Sequence, residues 1–228
     1  MEQFLDNPIY NALLTGNAAL SLGEGPVKFF PSDVSPFAGL ARYDKEHLDL
    51  LYSQIPDGRD VALFTDHPMT DLFSWTRAFS IDSYQLVYKK DVAETVPGFH
   101  LRNLTHVNVP QMLALTELTH PGPFLDKTID FGHYQGIFSG DDLLAMAGFR
   151  LHAGKYIEIS AVCTHPDHSG KGYARALVNS QINFIKEKGN IPYLHVIVTN
   201  ERALGIYKDM GFEIRKPIYI SVLTKAAR

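Results

Sequence analysis

One segment dominates the sequence: His165-Pro-Asp-His-Ser-Gly-Lys-Gly-Tyr-Ala-Arg175, which links a predicted strand to a predicted amphipathic helix. Gly170 and Gly172 remove two side chains where the backbone turns into the helix, so the backbone there can approach an anion closely. The first N–H groups of a helix lack internal partners, and the helix dipole favours negative charge at that end. Lys171 and Arg175 add positive charge. The segment suits a pyrophosphate, although a glycine-rich turn before an ordinary surface helix has the same composition.

Two other phosphate-binding motifs do not fit this segment. A Walker loop needs Gly-Lys followed by Ser or Thr, whereas Gly172 follows Lys171. A dinucleotide-binding fingerprint needs Gly or Ala where the chain has Arg175. The segment therefore indicates a different kind of phosphate loop.

A second segment, residues 199–212, predicts a helix that faces a ligand. Asn200, Ala203 and Tyr207 are spaced by three and four residues and so lie on one helix face. Such a face suits a long thin ligand, because the amide can form hydrogen bonds, the small residue permits close approach and the phenol lies furthest along. The alternative is that Asn200 only caps the helix and Tyr207 is only a core aromatic residue.

The remaining pattern predicts an α/β or α+β chain with a mixed sheet. From residue 99 onward we predict strands over 99–104, 135–139, 143–151, 156–164, 193–198, 212–214 and 218–223, with helices over 109–118, 172–188 and 200–210. Earlier residues predict strands over 27–30, 60–65 and 83–88 and a helix over 45–55. Residues 91–98 show little periodicity and contain Pro97, so we predict two units, residues 1–95 and 96–228.

Composition excludes several classes of protein. The chain has 228 residues, 45% hydrophobic and 20% charged, with a formal net charge of −4, which gives no general attraction for nucleic acid or an anionic membrane. No apolar stretch is long enough to span a bilayer, and the N-terminus lacks the pattern of a signal peptide, so we expect a cytoplasmic protein. Cys163 is the single cysteine, which excludes an intrachain disulfide.

The ten histidines do not predict a metal site. His165 and His168 have helical spacing but lie in a proline-containing loop, and the glutamate of a zincin motif is absent. We therefore predict no metal.

Residues 162–178 and 200–212 together resemble the GNAT acetyltransferase superfamily, most closely its branch with glycine-N-acyltransferase-like C-terminal domains. The family's loop pattern is Arg/Gln-x-x-Gly-x-Gly/Ala; Gly172 and Ala174 fill its later positions, and the uncharged Ser169 stands at its first. The family's helix ends Tyr-x-x-x-Gly-Phe, matched by Tyr207, Gly211 and Phe212. The resemblance implies a mixed, mostly antiparallel sheet flanked by helices, with residues 1–95 as an extra N-terminal α/β half-domain.

The resemblance also implies an acyl-CoA site, with acetyl-CoA as the expected co-substrate. The pantetheine would lie along the strand at Val162, Cys163 and Thr164, in a splay between this strand and the strand at 193–198. The pyrophosphate would meet Ser169, Gly170, Lys171, Gly172, Tyr173, Ala174 and Arg175. Asn200, Ala203 and Tyr207 would line the other side.

The family reaction is direct attack of an amine on the thioester. By resemblance Tyr207 is the acid that protonates the leaving thiolate. We predict Glu158 as the base, because it alternates with Ser160 and Val162 on one strand face and a carboxylate is costly to bury without a purpose. The alternatives are that Glu158 bonds a neighbouring strand or faces solvent, and that His195 serves as base or is a satisfied core histidine. We expect Cys163 on the opposite strand face, as a small apolar residue rather than a nucleophile.

The sequence thus predicts an N-acetyltransferase acting on a primary amine of a small molecule or amino acid. A non-catalytic acyl-CoA-binding or sensor module and a protein or peptide amine acetyltransferase stay open. Residues 121–124 follow the first family helix, where acceptor-binding loops are usual, so we expect them to line the acceptor pocket. Homodimers are common in the family, and self-association also stays open.

Overall fold

A computed structural model describes residues 2–94 and 98–225. Within them the strands are Val27–Phe29 (β1), Ala38–Leu40 (β2), Asp60–Thr65 (β3), Thr76–Tyr88 (β4), Arg102–Asn103 (β5), Gln135–Ser139 (β6), Asp142–Ala153 (β7), Tyr156–Thr164 (β8), Ile191–Ile197 (β9) and Phe212–Thr224 (β10). The α-helices are Pro8–Leu14 (α1), Lys45–Gln54 (α2), Val109–Thr119 (α3), Tyr173–Glu187 (α4) and Glu201–Met210 (α5). Short 3-10 helices cover Glu2–Asp6, Ala18–Leu20, His106–Asn108, Thr128–Phe131 and Pro166–His168. No helix in the described residues is long and apolar enough to cross a membrane.

Eight strands form one sheet in the order β3-β10-β4-β9-β8-β7-β6-β5. All of its neighbouring strands are antiparallel except β8 and β9, which run parallel. The prediction of a mixed, mostly antiparallel sheet flanked by helices is confirmed. The strands β1 and β2 form a separate antiparallel pair.

The N-terminal segment contributes strands to the main sheet. β10, at the end of the chain, pairs with β3 on one side and with β4 on the other. β4 in turn pairs with β9. Residues 95–97, where the predicted boundary between the two units falls, lie outside the described residues. The division at 95/96 stays a prediction, within a chain whose two segments share one sheet.

The helices cover both faces of the sheet. On one face, α1 and α3 pack through Leu13 and Met112 into a core that includes Met146 and Cys163. On the other face, Ile182 of α4 packs with residues of β8, β9 and β10. Each fully buried aliphatic side chain of this kind contributes about 1.5–3 kcal/mol. The sheet is therefore fixed from both sides around the point where β8 and β9 meet.

Three strand predictions need correction. Residues 212–214 and 218–223 belong to the single strand β10, which stays continuous through an irregularity between Ile214 and Lys216. Pro217 is tolerated because β10 pairs there with β4 alone; pairing with β3 begins at Tyr219. β4 begins at Thr76 rather than 83, and β5 is only two residues long.

Candidate functional site

The parallel strands β8 and β9 separate part of the way along their length. They pair from Tyr156 with Ile191 to Glu158 with Tyr193. Beyond that point no pairing joins these two strands, all of whose residues are described. The backbone of β8 from Ser160 to Thr164 is thus unpaired on the β9 side, as a splay requires.

A β-bulge in β8 marks the start of the splay. Met146 pairs with Cys163 and Gly148 with Ser160, so β8 carries one more residue than β7 over this interval. Ala161 lies within it with φ of 50°, in the left-handed region. The extra residue reverses the alternation of side chains. Cys163 therefore packs in the same core cluster as Tyr156 and Ala161, while Val162 packs towards α4. The expectation that Cys163 and Glu158 lie on opposite faces is wrong.

The predicted phosphate loop leads from the end of β8 into α4. Gly170 and Gly172 adopt φ of 78° and 84°, a conformation that favours glycine. Gly172 is the N-cap of α4, and the first intrahelical bond runs from the Ala176 N–H to the Gly172 carbonyl. A Cβ at Gly170 would meet no atom within 4 Å, so a side chain there would extend into open space. The loop keeps that space clear beside the helix N-terminus.

A cavity of about 550 Å³ lies along this loop, the unpaired part of β8 and the near face of α5. Every residue predicted to bind the cofactor lines it: Val162, Cys163, Thr164, Ser169, Gly170, Lys171, Gly172, Tyr173, Ala174, Arg175, Asn200, Ala203 and Tyr207. Lys171, Arg175 and Arg202 supply positive charge, and none of the described residues that line the cavity is acidic. A protein with a net charge of −4 thus has a locally cationic cavity.

One face of α5 borders the same cavity. The Asn200 side chain accepts a hydrogen bond from the Ala203 N–H at 3.1 Å and so caps the helix. Asn200, Ala203 and Tyr207 all line the cavity, so the cap and the lining role coexist. Burial raises the pKa of the Tyr207 phenol to about 12. At neutral pH this phenol keeps its proton.

Glu158 lies in a closed network of charged and polar side chains. Its carboxylate accepts hydrogen bonds from Arg150 Nε at 2.9 Å and Nη2 at 2.5 Å, and pairs with His195 Nδ1 at 2.6 Å. Its relative accessible surface is 0%. Burial acts to raise the pKa of Glu158, but the Arg150 charge and the hydrogen bonds from Arg150 and His195 lower it to about 2.

This environment does not suit the role predicted for Glu158. A general base needs a pKa near the working pH and access to the proton it takes. With a pKa of about 2 and no exposed surface, Glu158 meets neither condition. The geometry favours the alternative role, in which its carboxylate bonds neighbouring strands and fixes Arg150 on β7 and His195 on β9.

His195 is held at both ring nitrogens. Its Nδ1 faces Glu158, and its Nε2 lies 3.2 Å from Gln85 Nε2. Gln85 also donates from Nε2 to the Leu5 carbonyl, while its Oε1 accepts from Arg215. The Gln85 amide therefore presents a donor to the ring, so Nε2 accepts and Nδ1 donates. His195 therefore lines the site as an imidazole whose orientation is fixed by both neighbours.

Cys163 has the properties of an inert thiol. It is 2% exposed, and burial raises its pKa to about 12. Because the thiolate is the nucleophilic form, the geometry agrees with the prediction that Cys163 is a small apolar residue rather than a nucleophile.

Two further cavities continue from the first. One of about 170 Å³ occupies the splay and shares Val162, Asn200, Ala203 and Tyr207 with the cationic cavity. The other, of about 350 Å³, lies on the sheet face that carries α1 and α3. It shares His120, Pro121, Arg150, His195 and Ile197 with the splay cavity. The three cavities adjoin one another through these shared residues, from the phosphate loop across the splay to this sheet face, and we call the row of cavities the passage.

The loop after α3 takes part in this passage. Pro121, Gly122 and Pro123 line the third cavity, whereas Phe124 packs edge-on against Tyr134. We call this third cavity the far cavity.

Sequence reasoning missed Arg150 and Arg202. Arg150 is the one charged residue in the apolar run 143–151, which is the signal that marks it. It lies in an irregularity of β7, where pairing steps from Phe149 with Ile159 to His152 with Ile157. Arg202 gave no signal, because an arginine in the first turn of an exposed helix is unremarkable in sequence.

Comparison with known proteins finds similarity to acetyltransferases. The model of the FR47-like protein family matches residues 134–220. The N-alpha-acetyltransferase RimI of Mycobacterium tuberculosis is 32% identical over 85 residues, which are 36% of this chain and 52% of that protein. The chain thus spans about half the length of this relative. The spermidine N(1)-acetyltransferase of Vibrio cholerae is 39% identical over 62 residues, covering 25% of this chain and 36% of that protein.

The fold comparison extends over nearly the whole chain. A crystal structure assigned to the GNAT acetyltransferase family, from Novosphingobium aromaticivorans, superposes with a TM-score of 0.89 at 27% identity and covers 98% of this chain and 99% of that one. A GCN5-related N-acetyltransferase from Kribbella flavida gives a TM-score of 0.64 at 15% identity over 96% of this chain and 95% of that one, a similarity of fold.

Proposed function

We propose that the chain is an acetyltransferase of the GNAT superfamily, and that it transfers an acetyl group from acetyl-CoA to the primary amine of a small molecule or amino acid. The observation that carries the proposal is the passage. The cationic cavity at the phosphate loop adjoins the cavity in the β8/β9 splay, which in turn adjoins the far cavity. Two substrates can therefore meet in the splay from opposite sides.

The acetyl-CoA side of the site uses backbone and charge. The helix N-terminus at Gly172 offers unpaired N–H groups and a favourable dipole to the pyrophosphate. Lys171, Arg175 and Arg202 add positive charge around it. The free backbone edge of β8 from Val162 to Thr164 then suits the amide groups of the pantetheine, which would lie along it as an added strand.

The chemistry follows from the splay. The amine nitrogen attacks the thioester carbonyl, a C–N bond forms and the C–S bond breaks. Tyr207 gives its proton to the departing thiolate, one amine proton passes to water, and the phenolate regains a proton from solvent. The products are the acetamide and CoA thiol. Because burial raises its pKa to about 12, Tyr207 enters the step protonated.

Glu158 is a positioning residue in this scheme. It holds Arg150 and His195, which line both the splay cavity and the far cavity. The amine therefore enters as the neutral species rather than being deprotonated by this carboxylate. The expected consequence is a rate that follows the ionisation of the amine.

The proposal also includes the branch of the superfamily, the oligomeric state and the cellular location. The motifs at Gly172, Ala174 and Tyr207 support placement near the branch with glycine-N-acyltransferase-like C-terminal domains. A homodimer and a cytoplasmic location are expectations from the family and the composition.

The test is release of CoA thiol from acetyl-CoA when the purified protein meets a mixture of primary amines. We expect amine-dependent release and an acetylated product by mass spectrometry. Tyr207→Phe removes the acid and should lower the turnover about 10²-fold or more while acetyl-CoA binding persists. Binding of acetyl-CoA without acetylation of any amine would leave a non-catalytic binding module and overturn the proposal.

A further inference from the structure

The far cavity has an apolar lining on three sides. Phe37, Phe64, Phe79, Ile81, Ile220 and Val222 contribute side chains from β3, β4, β10 and the segment before β2. Pro121 and Pro123 close the side next to α3. A lining of this kind is typical of pockets that take an apolar ligand.

Two large apolar side chains of the far cavity are open to solvent. Phe79 is 52% exposed and Ile197 is 42% exposed. Scattered exposed apolar residues are ordinary, but these two line the same cavity together with buried Phe37 and Phe64. Their apolar surface leaves water only when a ligand with an apolar group covers it.

The side chains that line the far cavity do not suit a ligand with a second positive charge. None of the described residues that line it is acidic. The nearby carboxylate, Glu158, is fully buried and bound to Arg150 and His195. Arg150 itself faces the cavity with its guanidinium stacked 5.0 Å from the Phe37 ring. A polyamine would bring a further positive charge towards this guanidinium with no anion to receive it.

The size of the cavity sets an upper limit on the acceptor. A volume of about 350 Å³ lies near the lower end of the range for small-molecule sites, roughly 300–1,000 Å³. The loop at 121–123 covers one side of it. A compact molecule with one ring or one branched chain fills such a space.

From these observations we infer that the acceptor is a small primary amine with a single apolar side group and no second positive charge. Its amine lies at the Arg150 and His195 end of the far cavity, next to the splay, and its apolar group lies against Phe79 and Val222. This inference rests on the proposed function, since it names the substrate class of the same site.

The experiment compares four acceptors with acetyl-CoA and the purified full chain. They are 2-phenylethylamine, ethanolamine, spermidine and a pentapeptide with N-terminal phenylalanine. We expect kcat/KM, expressed per neutral amine, to be about tenfold or more higher for 2-phenylethylamine than for the other three. Ethanolamine lacks the apolar group, spermidine brings further positive charge, and the pentapeptide brings a longer chain. A preference for ethanolamine, spermidine or the pentapeptide would overturn the inference and leave the acetyltransferase function intact.

Direct binding separates failure of the inference from failure of the function. The same four compounds are titrated by calorimetry into protein saturated with CoA. If 2-phenylethylamine binds best but nothing is acetylated, the far cavity is as inferred and the proposed function fails. If spermidine or ethanolamine binds best, the inference fails whatever the turnover.

A matched pair of variants places the binding site. Phe79→Asp puts a carboxylate into the far cavity at an exposed position, and Phe73→Asp makes the same change at a phenylalanine that is 46% exposed and outside it. We expect Phe79→Asp to raise KM for 2-phenylethylamine about tenfold and to improve spermidine relative to it, with Phe73→Asp unchanged. Equal behaviour of the two variants would contradict the assignment.

Discussion

Replacing Glu158 by glutamine separates its role as a positioning residue from that of a general base. The folded protein lowers the pKa of this carboxyl from 4.5 to about 2, a difference of about 2.5 units. At about 1.4 kcal/mol per pH unit, ionised Glu158 stabilises the folded state by about 3–4 kcal/mol at neutral pH. Glutamine cannot carry that charge and leaves Arg150 buried without its anion. Removing one partner of a buried ion pair typically lowers the free energy of unfolding by about 3–5 kcal/mol.

The assay is urea unfolding followed by the fluorescence of Trp75, the single tryptophan, which is buried. We expect Glu158→Gln to lose about 3–4 kcal/mol of unfolding free energy at pH 7. Because folding lowers the pKa of Glu158, its contribution is complete above about pH 4.5 and is lost as the pH falls towards 2. The difference between wild type and variant should therefore shrink over that range.

The matched control is Glu213→Gln, at an exposed glutamate on β10. A surface change of this kind should stay within about 0.5 kcal/mol of wild type. If Glu158→Gln unfolds like wild type but loses turnover and an ionisation near neutral pH from its rate profile, Glu158 is the base and the reasoning from burial is refuted.

Three further outcomes follow from the site. Tyr207→Phe should leave the dissociation constant of acetyl-CoA within about twofold of the wild-type value. Wild-type activity should show no alkaline loss from this phenol below about pH 11, because its pKa is about 12. A loss of activity near pH 8 that Tyr207→Phe abolishes would contradict this. Cys163 is buried with a pKa of about 12, so it should resist iodoacetamide at pH 8 in the folded protein and react fully in urea. Rapid labelling of the folded protein would instead show an exposed thiolate. Ser169→Arg should tighten acetyl-CoA binding, measured by calorimetry, roughly tenfold at low salt and less at high salt. The reason is that a guanidinium at the phosphate loop forms charge-assisted hydrogen bonds with the phosphates. An unchanged affinity would place the phosphates elsewhere.

Local signals explain which parts of the fold were predictable from sequence. Gly170 and Gly172 before an apolar stripe mark a strand, a loop and a helix, and the structure has all three. Asn200 and Gly211 bound α5 because a side-chain cap and a left-handed glycine are strong local preferences. The half of β4 before residue 83 was not predicted because its side chains are mostly exposed and show no apolar face. Pairing with β10, which is distant in sequence, makes it a strand.

The surroundings of Glu158 depend on strand irregularities that a strict alternation of side chains along a strand does not predict. The bulge at Ala161 reverses the faces of β8, which brings Cys163 to the side of Glu158. Arg150 reaches Glu158 through an irregularity in β7, and His195 reaches it from β9 across the parallel pair. Glu158 was predictable as a residue with a purpose, but its partners, and hence its lowered pKa, required the register of three strands.

Calorimetry with two glycine variants tests whether acetyl-CoA binds at the phosphate loop. Gly172→Glu places a carboxylate at the N-terminus of α4, inside the cationic cavity. Gly189→Glu makes the same change just beyond the other end of α4, at a glycine with a similar positive φ and open space around it. We expect wild type and Gly189→Glu to bind acetyl-CoA alike and Gly172→Glu to lose binding. Equal binding by all three, or none by the folded wild type, would contradict it.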